Sequence, residues 1–211
     1  MTYLRDFDKA AATWDEEPRR VKLAEDTAAA IAGMVPLSKT MTAMDYGCGT
    51  GLLTLLIRPH VGRIIGADSS KGMLEVLERK VRDLGLDNVG TMLIDAETVA
   101  AAEERVDLLT CHMTLHHVED IPLLFLKFHE MLFPAGILCL SDLDAEDGSF
   151  HSDTTGVFSH GFDRNDLRVL LAEAGFTDIR DTTAAVIQKK SAEGEREYPV
   201  FLITARKSRS G

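Results

Sequence analysis

The chain has 211 residues with 34 acidic and 23 basic side chains, a formal net charge of −11. That length allows one or two domains at ~150 residues each, and one domain of this size buries roughly 70–75% of its unfolded surface without covalent staples. The 45% hydrophobic and 27% charged fractions exclude a disordered chain, and the acidic excess argues against nucleic acid as the main partner, because a phosphate backbone is repelled on average.

Val21, Ala24, Ala28, Ile31 and Val35 recur at spacings of three and four, which predicts a helix with one buried face between Pro18 and Pro36. A short buried strand over 42–46 runs straight into Gly47, Cys48, Gly49, Thr50 and Gly51, and a helix follows over 52–57. A second strand is expected over 63–67, a helix with Met73, Leu77, Val81 and Leu84 on one face and Gly85 as its stop, and a third strand over 91–94. A short Ala- and Glu-rich helix then precedes a fourth strand over 106–111. Ile121, Leu124, Phe128 and Leu132 line the next helix, and Pro134 and Gly136 form the turn into a fifth strand over 137–141. Residues 142–162 are rich in Asp, Ser, Thr, Gly and His and read as a loop of about twenty residues, a length that is usually functional in a compact domain. Asp163 and Asp166 have the spacing of an N-cap and N3 pair ahead of Leu167, Leu170, Leu171 and Ala174. Two final strands, over 176–183 and 199–205, flank a charged loop over 188–197.

Strands alternating with helices imply an α/β fold with a mostly parallel sheet and helices on both faces, and the last two strands form an antiparallel hairpin. Ligands of such sheets bind outside the carboxyl ends of the strands, where the strand order reverses. The three cysteines cannot all pair and suit a reducing compartment. No apolar run nears the ~18 residues of a membrane span, and 1–10 carries no secretory signal, so a cytoplasmic protein with no membrane partner is expected.

The run from Asp45 to Gly51 lies between a strand and a helix, where glycines let the backbone turn sharply and let a ligand approach. Asp68 ends the next strand, where a carboxylate accepts hydrogen bonds from both ribose hydroxyls. Together they suggest an adenine nucleoside. A dinucleotide wants Gly-x-Gly-x-x-Gly, but here the third glycine comes one position early, and Asp45 would sit poorly beside pyrophosphate. Asp95 adds a third strand-end acid that can accept from the adenine amine, with the Ala96 amide donating to the ring. Three carboxylates suit a ligand with a sulfonium and an ammonium rather than phosphates.

With these residues in order, Asp45-Tyr-Gly-Cys-Gly-Thr-Gly51, Ile65-Gly-Ala-Asp-Ser-Ser70 with Met73, Ile94-Asp-Ala96 and Leu115-His-His-Val-Glu-Asp120, the chain resembles the class I S-adenosylmethionine-dependent methyltransferases, specifically a small-molecule branch of type 11/12. The segment from Phe7 to Asp15 is similar to that branch's lid. The resemblance implies a Rossmann-like methyltransferase fold of seven strands in one domain over 1–211, with lid helices over 1–36 and a substrate-side insert over 142–162. It implies that Gly47 and Gly49 let the methionine moiety approach and that Asp45 holds its ammonium. Asp68 would clasp the ribose, Ser69 and Met73 pack beside adenine, and Asp95 and Ala96 read its edge. The backbone around Cys111 and His112 would face the methyl, and Trp14 would close over the cofactor.

Each residue also has a plainer reading. Trp14 can anchor a helix, Cys48 can be a small turn residue, and Cys111 and Cys139 can be strand core without thiolate chemistry. His116 and His117 can be structural hydrogen-bonding groups. A metal held by His151, Asp153 and His160 lacks tight ligand spacing, so no metal is expected. Methyl transfer from a sulfonium relies mainly on alignment and desolvation, with a general base required only if the acceptor sheds a proton. His112 and His160 are the first choices for that base on position, with His151 also considered. The expected partner is a small-molecule methyl acceptor, and the expected oligomer a monomer or homodimer. Two alternatives stand beside this reading: a non-catalytic cofactor-binding module on the same fold, and a nicotinamide-dependent oxidoreductase, for which no Tyr-x-x-x-Lys pair is found.

Overall fold

The computed structural model describes residues 7–94, 105–191 and 194–209. Seven strands form one sheet: β1 (Thr42–Tyr46), β2 (Arg63–Asp68), β3 (Val89–Leu93), β4 (Val106–His112), β5 (Leu132–Leu143), β6 (Phe176–Ser191) and β7 (Gly194–Lys207). Their order is β3-β2-β1-β4-β5-β7-β6. Neighbours among β1 to β5 are parallel, and β7 runs antiparallel to both β5 and β6. The helices are α1 (Phe7–Ala10), α2 (Pro18–Met34), α3 (Leu52–Ile57), α4 (Lys71–Asp83), α5 (Ile121–Met131) and α6 (Arg164–Glu173), and a 3-10 turn spans Leu115–His117.

Successive residues of the central strands enter different cores. Ile65, Leu109, Leu138 and Ile203 join Phe125 and Phe128 of α5 and Leu167 of α6, whereas Ile64, Leu108, Cys139 and Leu202 join Ile31 of α2 and Leu53 and Ile57 of α3. This is the two-residue period of a strand, with both faces covered as a parallel sheet requires. Burying each such side chain is worth ~1.5–3 kcal/mol, so these two layers carry the fold. The helix starts follow from local chemistry: the side chains of Ser70, Asp120 and Asp163 accept from the amides of Met73, Leu123 and both Asn165 and Asp166, and Pro18 opens α2.

Several boundaries differ from the sequence expectation. The third strand begins at Val89 rather than Thr91 and ends at Leu93. The fifth begins at Leu132, not Ile137, because Val106 pairs with Leu132 while Leu108 pairs with Ile137, so four residues of β5 stand opposite one of β4 and three extra residues bulge out. Pro134 and Gly136 belong to that bulge, with Ala135 at φ 66°. At its other end β5 runs to Leu143, which puts Asp142 inside the strand rather than in the loop. The loop that follows is closed at its base: Phe162 donates to the Leu143 carbonyl at 2.9 Å, and Ala145 donates back to Phe162 at 3.0 Å. The charged stretch expected as a loop over 188–197 instead extends the hairpin, with Gln188 opposite Glu197 and Lys189 opposite Arg196. A two-stranded ribbon in solvent needs no apolar face, so alternation could not reveal it. The expected Ala- and Glu-rich helix before β4 falls on 95–104, outside the described residues.

Connections from β1 and β4 leave toward opposite edges, so the crevice outside their carboxyl ends is the topological switch point. The packing behind it is testable at Phe128, which is fully buried with its ring 4.9 Å from Tyr46, edge to face. Phe128→Ala is expected to lower the unfolding free energy by ~3–5 kcal/mol in urea denaturation, and a loss below about 1 kcal/mol would contradict its place in the core.

Candidate active site

A cavity of about 400 Å³ opens at the switch point. Its floor is the turn between β1 and α3. Gly47 has φ 72°, and a Cβ there would stand 2.3 Å from the Thr114 hydroxyl, so only glycine fits. Gly49, at φ 53°, would aim a Cβ into open space with only the Met73 sulfur within 4 Å, at 3.9 Å. The loop thus presents bare backbone to the cavity.

Two carboxylates frame it. Asp68, at the end of β2, accepts from the Gly49 amide at 2.7 Å and from the Ser70 amide at 2.8 Å. Burial pushes its carboxyl up from the ordinary value against the pull of these amides. Asp45 on β1 is fully buried and accepts from the hydroxyls of Thr54 at 2.6 Å and Thr110 at 2.7 Å. Desolvation dominates there and raises its pKa to about 6.

The N-terminal segment packs over this floor. Asp8 accepts from the Ser70 hydroxyl and the Gly72 amide at the start of α4. Asp15 accepts from Thr50 and pairs with Lys80 at 2.5 Å. The Arg20 guanidinium lies 3.7 Å above the Trp14 ring and donates to its carbonyl at 2.9 Å. Phe7 packs edge-on against both Trp14 and His117.

Histidines gather on the rest of the wall. His112, at the end of β4, shares a 2.8 Å hydrogen bond through Nδ1 with Ser141, and burial lowers its pKa to about 4. His116 lies on the 3-10 turn with Nδ1 2.8 and 3.0 Å from the two oxygens of Asp142, and its amide also donates to that carboxylate. Burial pushes the Asp142 carboxyl up, but His116 and the backbone amides outweigh it and hold the group below its ordinary value. The His116 ring stands 4.2 Å from that of His117 and 4.9 Å from that of His151. Burial lowers His151 to about 4, and its Nε2 is buried without a hydrogen-bond partner.

The cavity brings together Trp14, Asp45, Gly47, Gly49, Asp68, Ser69, Met73 and His112 from among the residues singled out in the sequence. Cys111 is buried in β4 behind the wall, and burial pushes its thiol well up. Asp95 and Ala96 lie outside the described residues, although Ile94 lines the cavity just before them. His160 does not reach the cavity. It is about half exposed, packs over Gly148, and sits 3.7 Å from the Glu146 carboxylate, because the loop folds back through a 2.8 Å bond from the Glu146 amide to the His160 carbonyl. His151 and Asp153 line the cavity without it, and among the described residues no group of three His, Cys, Asp or Glu is placed to hold a metal. The Asp142 carboxylate was not singled out in the sequence; the signal that could have found it was its position, two residues after the apolar run 137–140 and next to Ser141 at a strand end.

The bare glycine backbone and the fixed carboxylates at the ends of β1 and β2 fit S-adenosylmethionine, which needs close approach at its amino-acid end and acceptors for hydroxyl and ammonium groups. Residues 44–140 match the family described as a methyltransferase domain. An uncharacterized methyltransferase of Schizosaccharomyces pombe is 28% identical over 135 residues, covering 57% of this chain and 48% of that protein. The crystal structure of YcgJ from Bacillus subtilis superposes with a TM-score of 0.72 at 16% identity, over 86% of this chain and 98% of that one. Phosphoethanolamine N-methyltransferase 2 of Haemonchus contortus, solved with S-adenosyl-L-methionine, superposes with a TM-score of 0.68 at 16% identity, over 86% of this chain and 52% of that one. The chain spans about half the length, or less, of the curated relatives it matches. The family match runs from β1 into β5 and takes in the glycine turn and Asp68, and the likeness to these solved structures is one of fold.

Proposed function

We propose that the protein transfers a methyl group from S-adenosylmethionine to a small-molecule acceptor. The observation that carries this reading is one cavity walled on one part by the glycine turn, Asp45 and Asp68, and on another by histidines that the cofactor's own chemistry does not require. When bound, the cofactor supplies an electrophilic methyl on a sulfonium, with a good leaving group already in place. What remains for the chain is to bind, align and exclude water. Asp68 takes the ribose hydroxyls, held in position by two backbone amides, and Ser69 and Met73 lie against the adenine. Asp95 and Ala96 read the adenine edge. Asp45 attracts the ammonium, and His112, neutral at neutral pH, gives a polar contact beside the backbone that faces the methyl. Residues 1–36 act as a lid, with Trp14 shielding the cofactor, and the insert after β5 encloses the acceptor.

This reading treats 1–211 as one working unit in the cytoplasm. No helix among the described residues is long and apolar enough to cross a membrane. The reaction is tested by incubating the protein with methyl-labelled S-adenosylmethionine and a host metabolite extract. Label is expected in a small-molecule product identified by mass, and tight cofactor binding with no transfer to any metabolite would favour a non-catalytic module.

Asp68→Ala is expected to weaken S-adenosylmethionine binding by at least about tenfold in calorimetry, roughly 1.4 kcal/mol, and an unchanged affinity would overturn the ribose assignment. The raised pKa of Asp45 makes a second prediction. A cation favours the ionised carboxylate, so below about 6 a proton must be released before the ammonium can pair. Affinity is therefore expected to be flat above about pH 7 and to weaken as pH falls through 6, by up to about tenfold per unit. Asp45→Asn should flatten that profile, and a wild-type affinity independent of pH across this window would contradict the ammonium role.

A further inference from the structure

The inward face of the β6–β7 hairpin breaks its own pattern at Lys189. Along β6, Ala185 and Ile187 pack with Leu23, Tyr198 and Val200, while Val186 between them is exposed. Two-residue alternation puts position 189 on the same inward face, where the next apolar residue is due, and the chain has a lysine there. Lys189 lines the cavity with Ile187. Its ammonium lies 4.5 Å over the Phe150 ring and donates to the Phe150 carbonyl.

The contacts around it leave this charge unbalanced. Directly across the ladder stands Arg196, a like charge, and opposed like charges destabilise a sheet pair. Arg196 pairs with Asp147 at 2.6 Å, and Arg19 pairs with both oxygens of Glu17. Glu146 attracts Lys189 only from a distance, and its hydrogen-bonded oxygen accepts the Phe150 amide. Among the described residues no carboxylate pairs with Lys189. An ammonium has three N–H donors, and the Phe150 carbonyl takes one. Burial, and then the nearby Arg19 guanidinium, hold the Lys189 pKa below the ordinary lysine value, so its charged form gains from an added anion.

The cavity around this ammonium is apolar: Leu23, Met113, Phe150 and Ile187 line it and belong to one hydrophobic cluster. We propose that Lys189 is a specificity-determining residue that binds an anionic group, a carboxylate or a phosphate, on an acceptor with an apolar body. This rests on the methyl-transfer reading above. The anion stays at the hairpin, and the body lies along Leu23, Phe150 and Ile187. The nucleophilic atom then points toward the glycine turn, where Asp45 and Asp68 repel the anionic end and set which way round the acceptor enters. Lys189 acts away from the reacting atoms, so its loss weakens acceptor binding and leaves the hold on the cofactor unchanged.

The test uses phenylacetate and phenyl phosphate, each an anion on an apolar ring, beside the neutral phenylacetamide. Each is titrated into the full chain loaded with S-adenosylhomocysteine and followed by ligand-observed NMR. At least one anion is expected to bind about tenfold or more tighter than phenylacetamide, and the tighter of the two tells carboxylate from phosphate. Lys189→Gln should remove that preference and Lys189→Arg should keep most of it, with S-adenosylhomocysteine affinity within about twofold of wild type in both. Phenylacetamide binding as tightly as both anions, binding by none of the three, or a preference that survives in Lys189→Gln overturns the proposal. So does a loss of S-adenosylhomocysteine affinity in Lys189→Gln, which would assign the ammonium to the cofactor's own carboxylate. Should the variants fold poorly, the wild-type comparison of charged and neutral probes still decides it. Failure of the wild type to bind S-adenosylhomocysteine at all would instead sink the methyltransferase reading beneath it.

Discussion

The site depends on how one carboxylate is held. Asp68 accepts the amide of Gly49 from the glycine turn and the amide of Ser70 from the start of α4. An ionised carboxylate buried to this degree is tolerable only with charge-assisted hydrogen bonds, and backbone amides provide them without side-chain entropy. The bracket therefore does two jobs. It fixes the turn that exposes bare backbone to the cavity, and it locks the rotamer of the acid that faces it. Ser70 then caps α4 with its side chain, and Asp8 caps the same helix from the N-terminal segment. Turn, strand end, helix start and N-terminal segment are thereby tied together around this group.

Electrostatics divides the cavity. Asp45 and Asp68 lie at the ends of adjacent parallel strands and repel each other, and each is pushed up in pKa mainly by burial. A cation between them would relieve the repulsion, so a pair of this kind favours a cationic ligand over a phosphate. Farther along, the wall carries Arg19, Arg20 and Lys189 beside Glu17 and Asp153, with imidazoles between. Burial lowers the pKa of His112 and of His151 to about 4, and His116 is hydrogen-bonded to the buried Asp142.

The first half of the fold was legible because its signals are local. Helix periods, the glycine turn and Asp68 at a strand end all lie within short windows, and the parallel sheet follows from their alternation. The misjudged parts lacked a local signal. The β5 bulge hides behind Pro134 and Gly136, which are turn residues in most contexts, and the outer hairpin is charged on both faces because it packs little core. In the site, the residues expected to hold a cofactor could be named from motif order, but the pairing of His116 with Asp142 spans 26 positions and exists only because β4 and β5 are neighbours. His160 looked equally well placed in the sequence, and a single backbone bond from Glu146 to its carbonyl turns it outward.

The central claim, that this cavity is built around an adenosyl cofactor gripped by Asp68, is tested most directly by a crystal structure of the protein grown with S-adenosylhomocysteine. Both ribose hydroxyls are expected within hydrogen-bonding distance of the Asp68 carboxylate, about 2.6–3.2 Å, with the amino-acid end over Gly47 and Gly49. Density for the ligand elsewhere, or an Asp68 carboxylate that touches no ligand atom, would contradict it.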